Sequence, residues 1–346
     1  MPQITLVPTG QTFFADPGEA VLTAALRAGL NLPHSCKGGH CASCRARVLS
    51  GSFAHPGPRP AGLTEAEERE GFALLCQARA LTDLRIETRE VRPTPDVEVK
   101  SLPCRIERME RIAEDVMAVS LRLPAVEELH FLAGQYLDVM LSEGRRRSFS
   151  IASAPADGRL LELHVRRASK SGFTAQLFDS MHAGTLLRIE GPLGQFWLRT
   201  ESPRPVLMVG GGTGYAPLRA MLRQLIATGD RRPVTLYWGA AGEDGLYEHE
   251  WLRRLEGERP GFVFRPVLSG EPPPSWRGRR GLVHEAVLAE VADLASRDVY
   301  ASGPPAMIEA IRTGFVERGL PRERLYFDSF DYAPDTLALR AGPRAG

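Results

Sequence analysis

Four cysteines stand where they could share one metal centre. Cys36, Cys41 and Cys44 form a C-x4-C-x2-C run, and Cys76 follows 32 positions after Cys44. Three thiolates on one tight loop with a fourth downstream is the plant-type [2Fe–2S] ligand spacing. Gly38 and Gly39, inside the run, let the backbone curl and bring amide N–H groups toward the sulfides, where they stabilise the charge added on reduction. Zinc is the competing metal, although structural zinc sites usually show two C-x2-C-like pairs and this run has one. Four unrelated buried thiols are the remaining alternative. Cys104 lies outside the pattern and is expected to be a small core residue. His34, His40 and His55 lack the paired Cys-x-His spacing of a Rieske centre and are read as bystanders.

A second constellation is Arg147-Ser148-Phe149-Ser150, an R-x-F-S run on an expected strand. Alternate side chains of a strand share a face. Arg147 and Phe149 would point one way, a cation toward a phosphate and an aromatic toward a flat ring, while Ser150 offers a hydroxyl to a flavin nitrogen. Farther on, His164-Val165-Arg166 precedes Gly172-Phe173-Thr174, where a helix start could receive a pyrophosphate. An ordinary half-buried strand is the alternative.

The third is Val206–Val209 followed by Gly210-Gly211-Gly212-Thr213-Gly214-Tyr215-Ala216-Pro217. Strand, glycine loop and helix together expose backbone N–H groups and a helix dipole to a dinucleotide pyrophosphate. The spacing departs from G-x-G-x-x-G. A second strand-to-helix turn, Ala301-Ser302-Gly303-Pro304, is placed to border a nicotinamide, with a plain Gly-Pro turn as the alternative. After the expected strand Val234–Trp238 comes Gly239-Ala240-Ala241-Gly242-Glu243-Asp244, which holds acids and no arginine. Acids there suit a free ribose 2′-hydroxyl and arginine a 2′-phosphate, so NADH is expected over NADPH. Arg231 and Arg232 should lie at the strand's far end.

The elements that must hold these residues fall into three segments, 1–92, 100–200 and 204–332, parted by a proline-bearing stretch at 91–97 and by Glu201–Pro205. In the first, short strands (Gln3–Pro8, Gln11–Ala15, Arg45–Leu49, Leu84–Thr88) surround a helix at Ala20–Ala28, and Thr64–Glu67 has the form of a capping box. That predicts a small α+β domain. The second is mostly short strands with turn signals and one helix at Thr174–Met181, predicting an antiparallel barrel. The third alternates strand and helix through Leu325–Phe327, predicting a parallel sheet covered on both faces. The tail from Pro334 is expected to fray.

Composition agrees. The chain has 346 residues, 43% hydrophobic and 25% charged, with a net charge of +1. Two or three domains follow from the length. Near-neutrality predicts no nucleic-acid partner, and no apolar run approaches a membrane span. The N-terminus lacks a signal-peptide pattern, so a cytoplasmic location is expected. Residues 1–91 hold nine Lys+Arg and nine Asp+Glu, as suits a cluster domain that is tethered and does not dock by charge.

Together these residues resemble the ferredoxin–NAD(P)H reductase superfamily, in the branch with an N-terminal ferredoxin that includes benzoate, phenol and methane oxygenase reductases and CDP-6-deoxy-delta-3,4-glucoseen reductase. The resemblance covers about residues 3–332. Tyr326–Asp331 and Leu102–Arg105 are most similar to the glucoseen-reductase group. It implies a β-grasp ferredoxin, an antiparallel FAD barrel and an α/β NAD(P)H domain. Cys36, Cys41, Cys44 and Cys76 would hold the cluster. Arg147, Phe149, Ser150, His164, Val165, Arg166, Gly172 and Thr174 would line FAD. Gly211, Thr213, Gly214, Ser302 and Gly303 would take the nicotinamide dinucleotide. Ser150, Asp328 and Phe330 would surround the flavin ring as the catalytic set. Ser302 stands where many members carry a cysteine.

The implied activity is electron transfer from NADH, or NADPH, through FAD to the [2Fe–2S] cluster and on to a terminal acceptor protein, an oxygenase hydroxylase or a dehydrase. The chain itself is expected to be a monomer. The alternatives are a stand-alone NAD(P)H:flavin reductase and a non-enzymatic redox-sensing, nucleotide-binding protein.

Overall fold

The computed structural model describes residues 1–30, 32–34, 38–39, 44–60, 62–88, 97–142 and 145–330. The expected linker at 91–97 (all but Val97), the tail from Pro334, and Cys36, His40 and Cys41 lie outside the described residues. The chain divides into two compact units, Met1–Val97 and Glu98–Gly346.

The first unit contains β1 (Gln3–Val7), β2 (Thr12–Phe14), α1 (Val21–Arg27), β3 (Arg45–Ser50), β4 (Phe53–Ala54), α2 (Glu65–Arg69), β5 (Phe72–Leu74), β6 (Arg79–Ala80) and β7 (Leu84–Glu87). A mixed five-stranded sheet runs β2-β1-β7-β3-β5, with β1 and β7 parallel. Alternation puts Ile4, Leu6, Leu84 and Ile86 inward, where Val21, Leu22, Ala24 and Ala25 of α1 meet them. Cys44 and Cys76 belong to the same buried cluster. The Thr64 capping box forms as its sequence predicts: Glu67 N–H donates to Thr64 Oγ1 at 3.2 Å and Thr64 N–H to Glu67 Oε2 at 3.0 Å.

The second unit holds two sheets. One comprises β8 (Lys100–Ala113), β9 (Val116–Arg122), β10 (Tyr136–Met140), β11 (Arg146–Ser150), β12 (Leu160–Arg166) and β13 (Leu186–Leu193), with α3 at Phe173–Asp179. All its pairings are antiparallel, in the order β11-β10-β13-β8-β9-β12. A bridge between Ile151 and Leu163 brings the two edges together. Its interior is apolar, and Cys104 lies in it, its thiol pushed up to about 12 by burial. That residue is core, as its isolation in the sequence suggested.

The other sheet comprises β14 (Val206–Gly211), β15 (Val234–Ala240), β16 (Phe262–Leu268), β17 (Arg279–Arg280), β18 (Asp298–Gly303) and β19 (Leu325–Ser329). It is wholly parallel, ordered β17-β16-β15-β14-β18-β19. The helices α4 (Tyr215–Ala227), α5 (His249–Glu258), α6 (Val283–Glu290) and α7 (Pro305–Glu317) divide between two apolar layers. Strand order reverses beside β14, so a crevice opens at the C-terminal ends of β14 and β18, where α/β sheets bind ligands.

Candidate functional site

In the first unit Cys44 and Cys76 are nearly inaccessible, and the Cys76 N–H lies 3.5 Å from Cys44 Sγ. An amide pointed at a cysteine sulfur is what a thiolate ligand needs in order to carry charge under cover. The backbone of Gly39 runs against the segment that follows: its carbonyl accepts from Gly62 N–H at 2.9 Å, and a Cβ there would meet Gln77 at 2.9 Å. These residues fit a [2Fe–2S] centre. The other two expected ligands, Cys36 and Cys41, lie outside the described residues. His34 is buried with Nδ1 2.8 Å from the Leu32 carbonyl, a local packing role.

On β11, Arg147 pairs in register with Val139 and Phe149 with Leu137, so the two share one face as the alternation requires. Phe149 packs on Phe173 at the head of α3, ring centroids 5.9 Å apart. Ser150 ends the strand opposite Tyr136 and is buried. Thr174 Oγ1 accepts the Ala168 N–H at 3.1 Å, which closes the turn containing Gly172. Val165 lies in the apolar core of this sheet.

In the parallel sheet the expected nucleotide residues converge. Gly210, Ser302 and Asp328 sit in register across three neighbouring strands. A Cβ on Gly214 would fall 2.0 Å from the Ser302 carbonyl oxygen, so the turn admits only glycine there. Ser302 is wholly buried and its hydroxyl has no hydrogen-bond partner among the described residues; the buried Ser329 hydroxyl likewise has none among them. Buried unpaired hydroxyls beside a glycine loop fit a site that takes a polar ligand. Phe330 follows, its N–H held by the Gly303 carbonyl at 2.9 Å. At the opposite end of the sheet, Arg232 pairs with Asp230 and donates to the carbonyls of Arg199 and Ser202, so it is committed away from the crevice.

The two half-sites meet. A Cβ on Gly212 would lie 3.4 Å from the Arg166 guanidinium, which Asp115 holds at 2.8 Å. His164 reaches the turn before α5 as well: its Nδ1 is 3.0 Å from the Tyr247 hydroxyl and its Nε2 3.0 Å from Glu162 Oε1. The Nε2–H tautomer satisfies both, accepting from the phenol and donating to the carboxylate.

Around this contact stand residues that the sequence reading did not single out: Glu162, Tyr215, Arg219, Trp238, Tyr247 and Glu248. Tyr215 stacks on Trp238, Tyr247 abuts both edge-on, and the Trp238 Nε1–H donates to the Gly212 carbonyl at 2.9 Å. Burial and the Glu248 carboxylate push both phenols well above their usual range, so each stays a donor. Burial works against the Glu162 carboxylate, but the His164 ring and the Arg219 guanidinium outweigh it and hold the pKa at about 2. The sequence offers only Arg219 and Arg223 one turn apart on a largely apolar helix, a spacing that does not by itself show burial.

Three family models match the chain in succession: a 2Fe-2S iron-sulfur cluster binding domain over residues 4–81, an oxidoreductase FAD-binding domain over 103–197 and an oxidoreductase NAD-binding domain over 208–313. Among curated proteins it is 36% identical over 330 residues to the CDP-6-deoxy-L-threo-D-glycero-4-hexulose-3-dehydrase reductase of Yersinia pestis, covering 94% of this chain and 98% of that one. It is 37% identical over 331 residues to the reductase subunit of an aromatic O-demethylase from Amycolatopsis sp., covering 93% and 96%. Among solved structures, an Amycolatopsis cytochrome P450 reductase aligns with a TM-score of 0.77 at 34% identity, over 95% of this chain and 99% of the other. No described helix is long and apolar enough to cross a membrane.

Proposed function

Because the chain belongs to the family of iron–sulfur flavoprotein reductases that includes these two relatives, we propose that it draws electrons from NADH and delivers them, through FAD and a [2Fe–2S] cluster, to a separate acceptor protein. It is an NAD(P)H-dependent oxidoreductase carrying ferredoxin, FAD-binding and NAD-binding domains. Residues 1–92, 100–200 and 204–332 are our bounds for these domains, read as a β-grasp fold, an antiparallel barrel and a parallel α/β layer. The acceptor we favour is a dehydrase or an oxygenase component; one relative is named as the reductase of a dehydrase and another as a dioxygenase reductase component. The reductase itself would act as a cytoplasmic monomer.

The observation that carries this reading is the approach of Arg166, on β12, to Gly212, in the glycine loop. Two sites read from separate sequence signatures would thereby share one cleft. A bound flavin would supply the conversion between two-electron hydride chemistry and the one-electron cluster. The protein's own work is binding and orientation. Arg147, Arg166 and the turn at Gly172–Thr174 would neutralise and seat the FAD pyrophosphate. Phe149 and Phe330 would flank its ring. Ser150 would hold a hydrogen bond at the ring edge, and Asp328 would stand beside it with Ser302. Gly211, Thr213, Gly214 and Gly303 would let the nicotinamide dinucleotide approach main-chain N–H groups. Cys36, Cys41, Cys44 and Cys76 would hold the cluster.

The test is direct. Purified protein should carry about two irons and one FAD per chain and should reduce cytochrome c or ferricyanide at the expense of NADH. Turnover of added free flavin without tightly held FAD would favour a stand-alone flavin reductase. Binding of NADH with no dye reduction would favour a sensor.

A further inference from the structure

Arg219 lies on α4, five residues after Gly214, and is 8% exposed. Its guanidinium is shared among three acceptors. Nε donates to Glu248 Oε1 at 2.8 Å; Nη1 donates to the main-chain carbonyl of Ala152 at 2.9 Å and lies 3.1 Å from Glu162 Oε1. Ala152 is two residues beyond Ser150, and its N–H is spent on the Glu162 carbonyl at 2.7 Å. Glu248 is held from the other side by the Tyr215 hydroxyl at 2.6 Å. Thus one buried cation grips the main chain just past the flavin strand, while its own main chain continues the helix that starts at the glycine loop. Arg223, the other described arginine of α4, pairs with Asp157 at 3.0 Å in a more exposed setting.

We propose that Arg219 is a positioning residue for hydride transfer, fixing the separation between the strand end at Ser150 and the glycine loop at Gly210–Gly214. The proposal rests on the assignment of flavin to β11 and nicotinamide to that loop. A guanidinium suits the task because its planar fork can hold several oxygens at fixed angles, whereas an ammonium is a single mobile point charge. Burial adds to this, since Arg219 and Ala152 are both buried and the bond between them has no water to replace it. Displacing a reactant by about 1 Å can slow a reaction by about 100-fold even when binding survives.

The experiment uses the full holoprotein with Arg219→Gln and Arg219→Lys, mixed anaerobically with NADH in stopped flow. We expect FAD content and the Kd for NADH to stay within about threefold of wild type. Flavin reduction should slow by about 10–100-fold, and the long-wavelength charge-transfer absorbance between nicotinamide and flavin should weaken. Lysine should recover only part of either. Arg219→Gln leaves two half-buried carboxylates without this cation and risks misfolding; in that event Arg219→Lys decides. A normal rate and a normal charge-transfer band in a variant that folds with its FAD overturns the proposal. So does a loss confined to NADH affinity or to the melting temperature. Ser150→Ala and Gly211→Ala serve as controls: if they too reduce flavin at the wild-type rate, the underlying site assignment has failed, and not the role of Arg219 alone.

Discussion

The phenol ring of Tyr215 lies on the indole of Trp238, centroids 4.0 Å apart and planes 18° apart. The stack aims the indole N–H at the Gly212 carbonyl, 2.9 Å away, so a loop of glycines is pinned from beneath by a residue on the neighbouring strand. Trp238→Phe keeps the stack and deletes the donor. A hydrogen bond of this kind contributes about 1 kcal/mol, so the Kd for NADH should rise about fivefold with FAD content unchanged. Fluorescence titration of NADH checks this, and an unaltered Kd would show that the loop holds its shape without the indole.

The cluster should be separable from the flavin. Cys44 and Cys76 lie in the unit ending at Val97, whereas every residue assigned to flavin or nicotinamide lies in the other. Cys44→Ser should abolish the iron–sulfur absorbance and leave FAD bound. NADH should still bleach the flavin at a near-normal rate, while cytochrome c reduction falls. A normal cluster in that variant would contradict the ligand assignment.

Much of this arrangement was legible in the sequence because it rests on local rules. The Thr64 capping box, the glycine loop after β14 and the Arg147–Phe149 face each need only a few neighbouring residues, and each forms as read. Other features depend on tertiary contact. The helix that follows β15 does not start at once: a turn at Glu243–Gly245 comes first, and α5 begins at His249. Glu248 is turned inward to Tyr215 and Arg219, and its backbone (φ −115°, ψ 22°) leaves the helical path. The two-residue edge strand Arg279–Arg280 has no apolar alternation to announce it. Arg219 was likewise hidden, because a charged residue on a helix is ordinarily solvated and only the fold shows its burial.

Coenzyme choice follows from the end of β15. The loop after Ala240, residues 241–245, carries Glu243 and Asp244 and no arginine, and Arg232 is held at the opposite end by Asp230 and two carbonyls. NADH should therefore exceed NADPH in kcat/KM. A clear preference for NADPH would mean that a cation from elsewhere, such as exposed Arg280 on the edge strand beside Leu268, serves the 2′-phosphate.

Acid should loosen the second unit through Glu162. Its folded pKa of about 2 lies below the ordinary value of 4.5, so the stability it contributes is complete above about pH 4.5 and is lost as pH falls toward 2. Wild type should lose resistance to urea across that window, and Glu162→Gln should flatten the slope. All four tryptophans lie beyond residue 196, so tryptophan fluorescence reports this unit alone. Equal slopes in the two proteins would show that Glu162 is not held by Arg219 and His164 in solution.

Ser150 should control reduction of the flavin and not its binding. The residue ends β11 in a buried position, while the groups proposed to anchor FAD, Arg147 and Phe149 on the other face and Arg166 on β12, are untouched by its loss. Ser150→Ala removes one hydroxyl and no packing volume of consequence, so the protein should purify with its full complement of FAD. A group that positions or transfers a proton at the reacting atom typically contributes 10²–10⁴-fold, so flavin reduction by NADH in stopped flow should slow by about 100-fold or more. Asp328→Asn should slow the same step, because Asp328 is aligned with Ser302 across β18 and β19 at the mouth of the same crevice. In neither variant should the Kd for NADH change much, since the glycine loop that would bind the dinucleotide is intact. Cys44→Ser provides the contrast, with fast flavin reduction and slow onward transfer. If Ser150→Ala reduces its flavin as fast as wild type, the hydroxyl only fills the strand end, and orientation by Arg219 and the glycine loop must account for the rate without it.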